Sequence, residues 1–170
     1  GHAIGAGLSL AVQADMRVFA NEGKYGFLQS RRGVVADFAI EYVLPRLVGF
    51  ERAFELLVRA PRLSGEEAVA WSLAGRSVPA EAVLETALEI ARDICVNCAP
   101  LPVGLHKHLL WRGLAMDAGE LARVETLALR HTMSTPDAVE GGMAYIERRT
   151  PQWSASINKD WPDWLQDWSA

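Results

Sequence analysis

GVVADFAIEYVLPRLVG, residues 33–49, sets two carboxylates, Asp37 and Glu41, into an otherwise apolar run. An ionised carboxylate is unfavourable to bury without a partner, so the run needs a reason for its acids. FAIEYVL has helical character, with Pro45 ending or kinking the helix. Asp37, just ahead of it, reads either as an N-cap that accepts from the N–H of Ala39 or Ile40, or as a functional acid. Glu41 lies one helical turn further on the same face and reads as solvated or ion-paired, or as a second acid in a pocket.

Outward from this stretch, ERAFELLVRA reads as another helix, stopped by Pro61. Ser64 followed by Glu66 and Glu67 offers an N-cap with an acidic first turn, so GEEAVAWSLA is a helix and GRSVP a brief strand or extended link. Upstream, small and apolar residues recur at helical spacing from Leu8 to Asp15, and GAG at 5–7 opens that helix tightly. MRVFA alternates as a short strand, NEGK turns, and YGF is a second extended piece. Between Ala80 and Val96 the positions Val83, Leu84, Ala87, Leu88, Ile90 and Ala91 form the broad stripe of an amphipathic helix. After CAPLP three helical patterns follow, at 103–114, 118–133 and 136–148, with no strand between them. The expected class is α/β, with a mixed region over 1–102 and a helical region over 103–170.

A chain of 170 residues suits one domain, and half of its residues are hydrophobic. A formal charge of -4 argues against broad attraction to nucleic acid, while leaving room for a local basic spot that takes one small anion. No apolar run has the length of a membrane span, and the start lacks the pattern of a secretory leader, so the expected location is cytoplasmic. Cys95 and Cys98 form a solitary C-x-x-C that reads as plain thiols. His106 and His108, two apart, do not share a helical face as metal ligands would, and no metal is expected. The tail TPQWSASINKDWPDWLQDWSA holds four of the six tryptophans. On a helix Trp161, Trp164 and Trp168 would share one face, expected to pack on the chain's own body or a sister subunit; left exposed, that face would be an association site.

GAG at a helix start permits close approach by a ligand, and the unpaired N–H groups there face outward with the positive end of the helix dipole, which suits an oxyanion or phosphate. By itself G-x-G also occurs wherever a helix packs tightly. Here GxAxGAGLSLAxxAD, ANEGKYGF, RRGVVADFAIEYVLPRLVG, LSGEEAVAWSLAGRSVP and EGGMAYIERRTPQW follow one another in an order and spacing that resemble the crotonase superfamily, the enoyl-CoA hydratases and isomerases. LPRLVG followed by the A-x-x-x-S-L-x-x-x-x-V-P segment makes the resemblance specific, and it covers all but the C-terminal tail.

The resemblance implies a partial spiral of β-β-α turns followed by a C-terminal helical region that builds homo-trimers or hexamers. It implies an acyl-CoA substrate, with coenzyme A as part of the substrate and no separate cofactor. The thioester oxygen would sit between two backbone N–H groups that stabilise an enolate. By position one of these donors is Ala6, and such a donor is worth about 3 kcal/mol of barrier. The other belongs to a segment expected ahead of Gly1, so the chain reads as the C-terminal part of a longer domain with its N-terminal portion missing, inactive in isolation.

Residues carried over as substrate-binding are Gly5, Gly7, Ser9, Gln29 and Arg148, the last where relatives place a basic residue that reaches the coenzyme A of a neighbouring subunit. A charged helix terminus explains Arg148 equally well. Ser9 and Gln29 stand where family hydratases carry two glutamates, and neither is a general base near neutral pH without help. Asp37 falls on the single acid that double-bond isomerases place in a P-D-x-G-G or P-E type stretch, with Ala36 in place of the proline. Apolar surroundings favour the protonated form of a carboxyl group, and Val34, Val35, Phe38 and Ile40 supply apolar neighbours in sequence. Asp37 is therefore expected as the general acid/base, compatible with a capping role. Arg31 and Arg32, ahead of Gly33, read as solvated or as orienting a carboxylate. The competing expectations are a catalytically silent acyl-CoA-binding or assembly subunit, and a helical interaction module built on the tryptophan tail.

Overall fold

Short strands that pair across long stretches of sequence organise the first part of the chain. The computed structural model describes residues 1–168, with side chains as far as Leu165. Strand β1 (Ala3–Ile4) turns at Gly5 into helix α1 (Ala6–Val12), followed by β2 (Val18–Ala20) and β3 (Tyr25–Gly26). Helices α2 (Ile40–Val48), α3 (Phe50–Phe54) and α4 (Gly65–Ala70) lead to β4 (Arg76–Val78). Both sheets are two-stranded and parallel, with Ala3 opposite Tyr25 in β1–β3 and Val18 opposite Arg76 in β2–β4. Tyr25 also bridges Leu63 in antiparallel fashion through N–H···O bonds of 2.9 and 2.8 Å. Phe19 and Tyr25 stack at 3.9 Å over a core that includes Leu8, Phe27, Leu44, Leu56 and Leu73.

Helix α2 explains most of the apolar character of residues 33–49. Ile40, Val43, Leu44 and Val48 form its buried stripe at helical spacing, while Glu41 on the other side is exposed. The helix runs through Pro45 rather than ending there, since proline removes one N–H but its carbonyl still accepts from Gly49 N–H at 3.0 Å. Gly49 then takes φ 84, and α3 begins. The single helix expected over ERAFELLVRA is in fact α3 followed by a π turn, Glu55–Arg59, closed by Ala60 N–H on Glu55 O at 3.2 Å. Ser64 caps α4 as expected, in a full capping box with Glu67. A Cβ on Gly65 would stand 2.2 Å from the Ala20 carbonyl oxygen, so that close approach of α4 to β2 requires glycine.

Chain contacts divide the molecule into Gly1–Glu89 and Ile90–Ala170, a division within helix α5 (Val83–Asn97), whereas the sequence reading set its boundary after residue 102. No residue of α5 is buried, so its apolar stripe is not core here. The second unit contains α6 (Pro100–Gly113), α7 (Ala118–Met133) and α8 (Pro136–Glu147), the three helices expected from periodicity. Leu101, Leu105, Leu109, Val124 and Ala128 form its core with Ala155 and Leu165 from the tail.

Two carboxylates of α8 hold that tail down. Buried Asp137 accepts from Ser154 N–H at 2.7 Å, Ser154 Oγ at 2.8 Å and Ala155 N–H at 3.1 Å. Glu140 takes two N–H groups of Arg149, at 2.5 and 2.8 Å, and Gln152 N–H at 2.7 Å. These bonds hold the Glu140 carboxyl down at about 2. The tail itself forms a four-residue helix, α9 (Ile157–Asp160), and a 3₁₀ segment Asp163–Trp168, not one helix through the tryptophans. Pro162 interrupts it. Trp161 packs on the second core, edge-on to His108 at 5.7 Å, and Trp164 is exposed; the side chain of Trp168 lies outside the described residues. Cys95 and Cys98 are exposed free thiols, and no helix among the described residues is long and apolar enough to cross a membrane.

Candidate active site

Gly5 decides the local geometry of the α1 entrance. Its φ 59 and ψ -127 are reached without strain only by glycine, and its N–H bonds Gly26 O at 2.8 Å, continuing the β1–β3 ladder. Its carbonyl accepts from Leu8 N–H and Ser9 N–H, both at 3.0 Å, which closes the first turn of α1. The amides of Ala6 and Gly7 have no acceptor among the described residues, and both residues are exposed. Apart from the neighbouring backbone, nothing lies within 4 Å of where a Cβ on Gly5 or Gly7 would stand, so the space beside both glycines is open.

One turn into α1, Ser9 is fully buried. Its Oγ lies 3.4 Å from Gly5 O and accepts from Gln29 Nε2 at 3.2 Å. Two positions twenty residues apart, singled out by sequence, thus meet beside the free amides. Gln29 Oε1 is buried with no hydrogen-bond partner, an acceptor left open next to this pair. Both groups are neutral at every ordinary pH.

Asp37 does not take the capping place that one of its sequence readings gave it. Its side chain caps nothing: the N-cap of α2 is Ala39, and only the backbone carbonyl of Asp37 accepts, from Ile40 N–H at 3.3 Å. The carboxylate is exposed and has no partner among the described residues. Val34, Val35 and Phe38 are themselves exposed, so of the four expected apolar neighbours only Ile40 is buried. Phe38 and Ala39 both take left-handed backbone conformations, with φ 56 and 50, a combination that carries a conformational penalty of about 1–2 kcal/mol per residue. Strain of this sort concentrates at functional sites.

Gln13 holds the strained turn, a role its sequence context did not signal. Its Nε2 donates to Phe38 O at 2.7 Å, tying α1 to the residue after Asp37. Spacing offers one clue in retrospect, since Gln13 is one turn beyond Ser9 on the same helix. Arg148 belongs to the second unit, exposed at the left-handed C-cap of α8. Among the described residues no three His, Cys, Asp or Glu side chains converge as metal ligands would.

Comparison with known proteins gives the family. Residues 1–156 match the family model described as enoyl-CoA hydratase/isomerase. The enoyl-CoA hydratase ACTT3 of Alternaria alternata is 33% identical over 161 residues, covering 94% of this chain and 54% of that protein. Carnitinyl-CoA dehydratase of Citrobacter koseri is 32% identical, covering 90% of this chain and 60% of its own. A solved structure of a probable enoyl-CoA hydratase/isomerase from Mycobacterium abscessus superposes with a TM-score of 0.89 at 44% identity, over 92% of this chain and 61% of that one. The chain thus spans little more than half the length of the curated relatives it matches. The fold shared with that structure is the crotonase fold, and its α/β class is the one expected from the sequence.

Proposed function

Because the chain belongs to the enoyl-CoA hydratase/isomerase family, we propose that it acts on an acyl-CoA thioester by stabilising an enolate. In this reading Ala6 N–H is one donor to the thioester oxygen, and Asp37 is the lone proton-transfer group. Gly5 and Gly7 leave room for the thioester, and Ser9 and Gln29 line the acyl side. The reaction is closer to double-bond isomerisation than to hydration by two glutamates.

The observation that carries this reading is the Ser9–Gln29 contact at 3.2 Å beside the open Ala6 and Gly7 amides. The two positions that hydratases fill with water-handling acids are brought together here, yet neither group can take a proton near pH 7. An exposed acid on a strained turn, tethered through Gln13 to the same helix, is the remaining candidate for that task. An oxyanion donor aimed at developing charge acts without reorganisation, since the backbone amide is fixed by the helix that follows it. The proposal extends to a homo-trimer or hexamer in a cytoplasmic setting, with Arg148 directed to the coenzyme A of a sister subunit.

The test is Asp37→Asn in a protein completed with the segment expected ahead of Gly1, assayed by turnover and by titration calorimetry with a panel of acyl-CoAs. Turnover is expected to fall by about 10²-fold, the ordinary contribution of a general base, with binding retained. An unchanged rate removes Asp37 from the mechanism. A second reading, a silent acyl-CoA-binding or assembly subunit, draws on the same neutral Ser9–Gln29 pair. It predicts binding without hydration or isomerisation of any acyl-CoA.

A further inference from the structure

We propose that a pocket framed by Arg31, Arg32 and Arg62 binds a phosphate-type polyanion, with a diphosphate as its best-matched occupant. The pocket has a volume of about 410 Å³ and is completed by Leu28, Ala60 and Pro61. That volume lies in the range of small-molecule sites and exceeds the needs of a lone phosphate ion. No carboxylate lines it, and none of the three arginines pairs with an Asp or Glu among the described residues. Arg59, adjacent to Ala60, already pairs with Glu55 at 2.5 Å. Three arginines without a carboxylate partner line one cavity, and a multiply charged anion held there would offset their like charge. Guanidinium forks also match the oxygens of a phosphate better than an ammonium does.

The pocket is built on fixed backbone. Arg31 is held through Nε and Nη2 on Arg59 O, at 3.1 and 2.7 Å, which orients its guanidinium plane. Ser30 Oγ donates to Leu57 O at 2.6 Å and fastens the same segment to the π turn. On the other wall, the Tyr25–Leu63 bridge clamps the residue after Arg62. Gly26 approaches so closely that a Cβ there would stand 2.8 Å from Pro61 O. Ala60, 2% exposed with φ 51, turns the chain from the π segment into this wall. Both arginine-bearing segments are therefore positioned before any ligand arrives, which lowers the ordering entropy of binding. None of these arguments depends on the thioester chemistry.

Phosphate groups reach such a pocket either as free phosphates or as part of coenzyme A, and titration of the full chain separates the two. Inorganic pyrophosphate in a chloride buffer is expected to bind at one saturable site, more weakly as salt rises. Arg32→Gln and Arg62→Gln are each expected to weaken it about tenfold or more, with the melting temperature unchanged. Displacement of pyrophosphate by both coenzyme A and its 3′-dephospho form, which share the diphosphate, supports coenzyme A as the source, and failure of both to displace it supports a free phosphate; displacement by coenzyme A alone points to its 3′-phosphate and overturns the diphosphate assignment. Absence of saturable pyrophosphate binding, or undiminished binding in the Arg32→Gln/Arg62→Gln double variant, overturns the proposal.

Discussion

Replacing Asp137 by alanine removes the acceptor for three donors at once. Ser154 is exposed, so its N–H and hydroxyl can turn to water, but Ala155 is buried and its N–H would be stranded. A stranded buried donor costs about 1–3 kcal/mol, and two lost charge-assisted bonds with rehydrated partners add about 1 kcal/mol. Losing a carboxylate in the first turn of α8 contributes about 0.5 kcal/mol more. The expected loss is therefore about 3 kcal/mol for Asp137→Ala, with Asp137→Asn intermediate because one acceptor oxygen remains. Urea titration followed by tryptophan fluorescence reads the total, and amide hydrogen exchange reads the location. Protection at Ala155 should fall in the alanine variant far more than at the core amides of α6. A loss below about 0.5 kcal/mol, the range of a neutral surface change, together with unchanged exchange at Ala155, would refute the assignment of Asp137 as the anchor of the tail.

Gly65→Ala should destabilise the first unit by about 2 kcal/mol or more, because its Cβ would collide with the Ala20 carbonyl; a melting curve matching the parent would contradict that approach. Ser64→Ala removes one half of the capping box and should cost about 1 kcal/mol by urea titration. Glu140 supplies the pH dependence. Its folded-state carboxyl sits at about 2 against an unfolded value of 4.5, so its contribution is fully present above pH 4.5 and is lost as pH falls toward 2. Melting temperature measured down that range should fall less steeply in Glu140→Gln than in the parent.

Much of this architecture was legible because local rules and packing agree. Ser64 and Glu67 form a capping box whose two bonds are local, and the helices after residue 100 show strong periodicity. The α1 entrance was legible for a similar reason, since glycine at a positive φ is a backbone requirement visible in one letter. The Ser9–Gln29 contact was reachable only through family resemblance, because no local rule couples residues on separate elements. Asp137 went unread. A carboxylate at a helix start looks like any dipole-compensating residue, and its burial depends on a tail that returns to it from another part of the chain. The apolar stripe of α5 marked a helix that is there, though none of its residues is buried, for periodicity reports an apolar face and not what covers it. Of the two roles read for Pro45, ending or kinking the helix, the first does not hold, since the helix continues to buried Val48 despite one missing N–H.

Parallel pairing of Val18–Ala20 with Arg76–Val78 also has a temporal side. On the ribosome the first strand emerges well before its mate is synthesised, and at about 5–20 residues per second the wait is ~3–12 s. Throughout that interval Val18–Ala20 lacks Arg76–Val78, its strand partner among the described residues, and can recruit a wrong one. Slowing translation between the two segments should therefore lower soluble yield, whereas slowing it after Val78 should not.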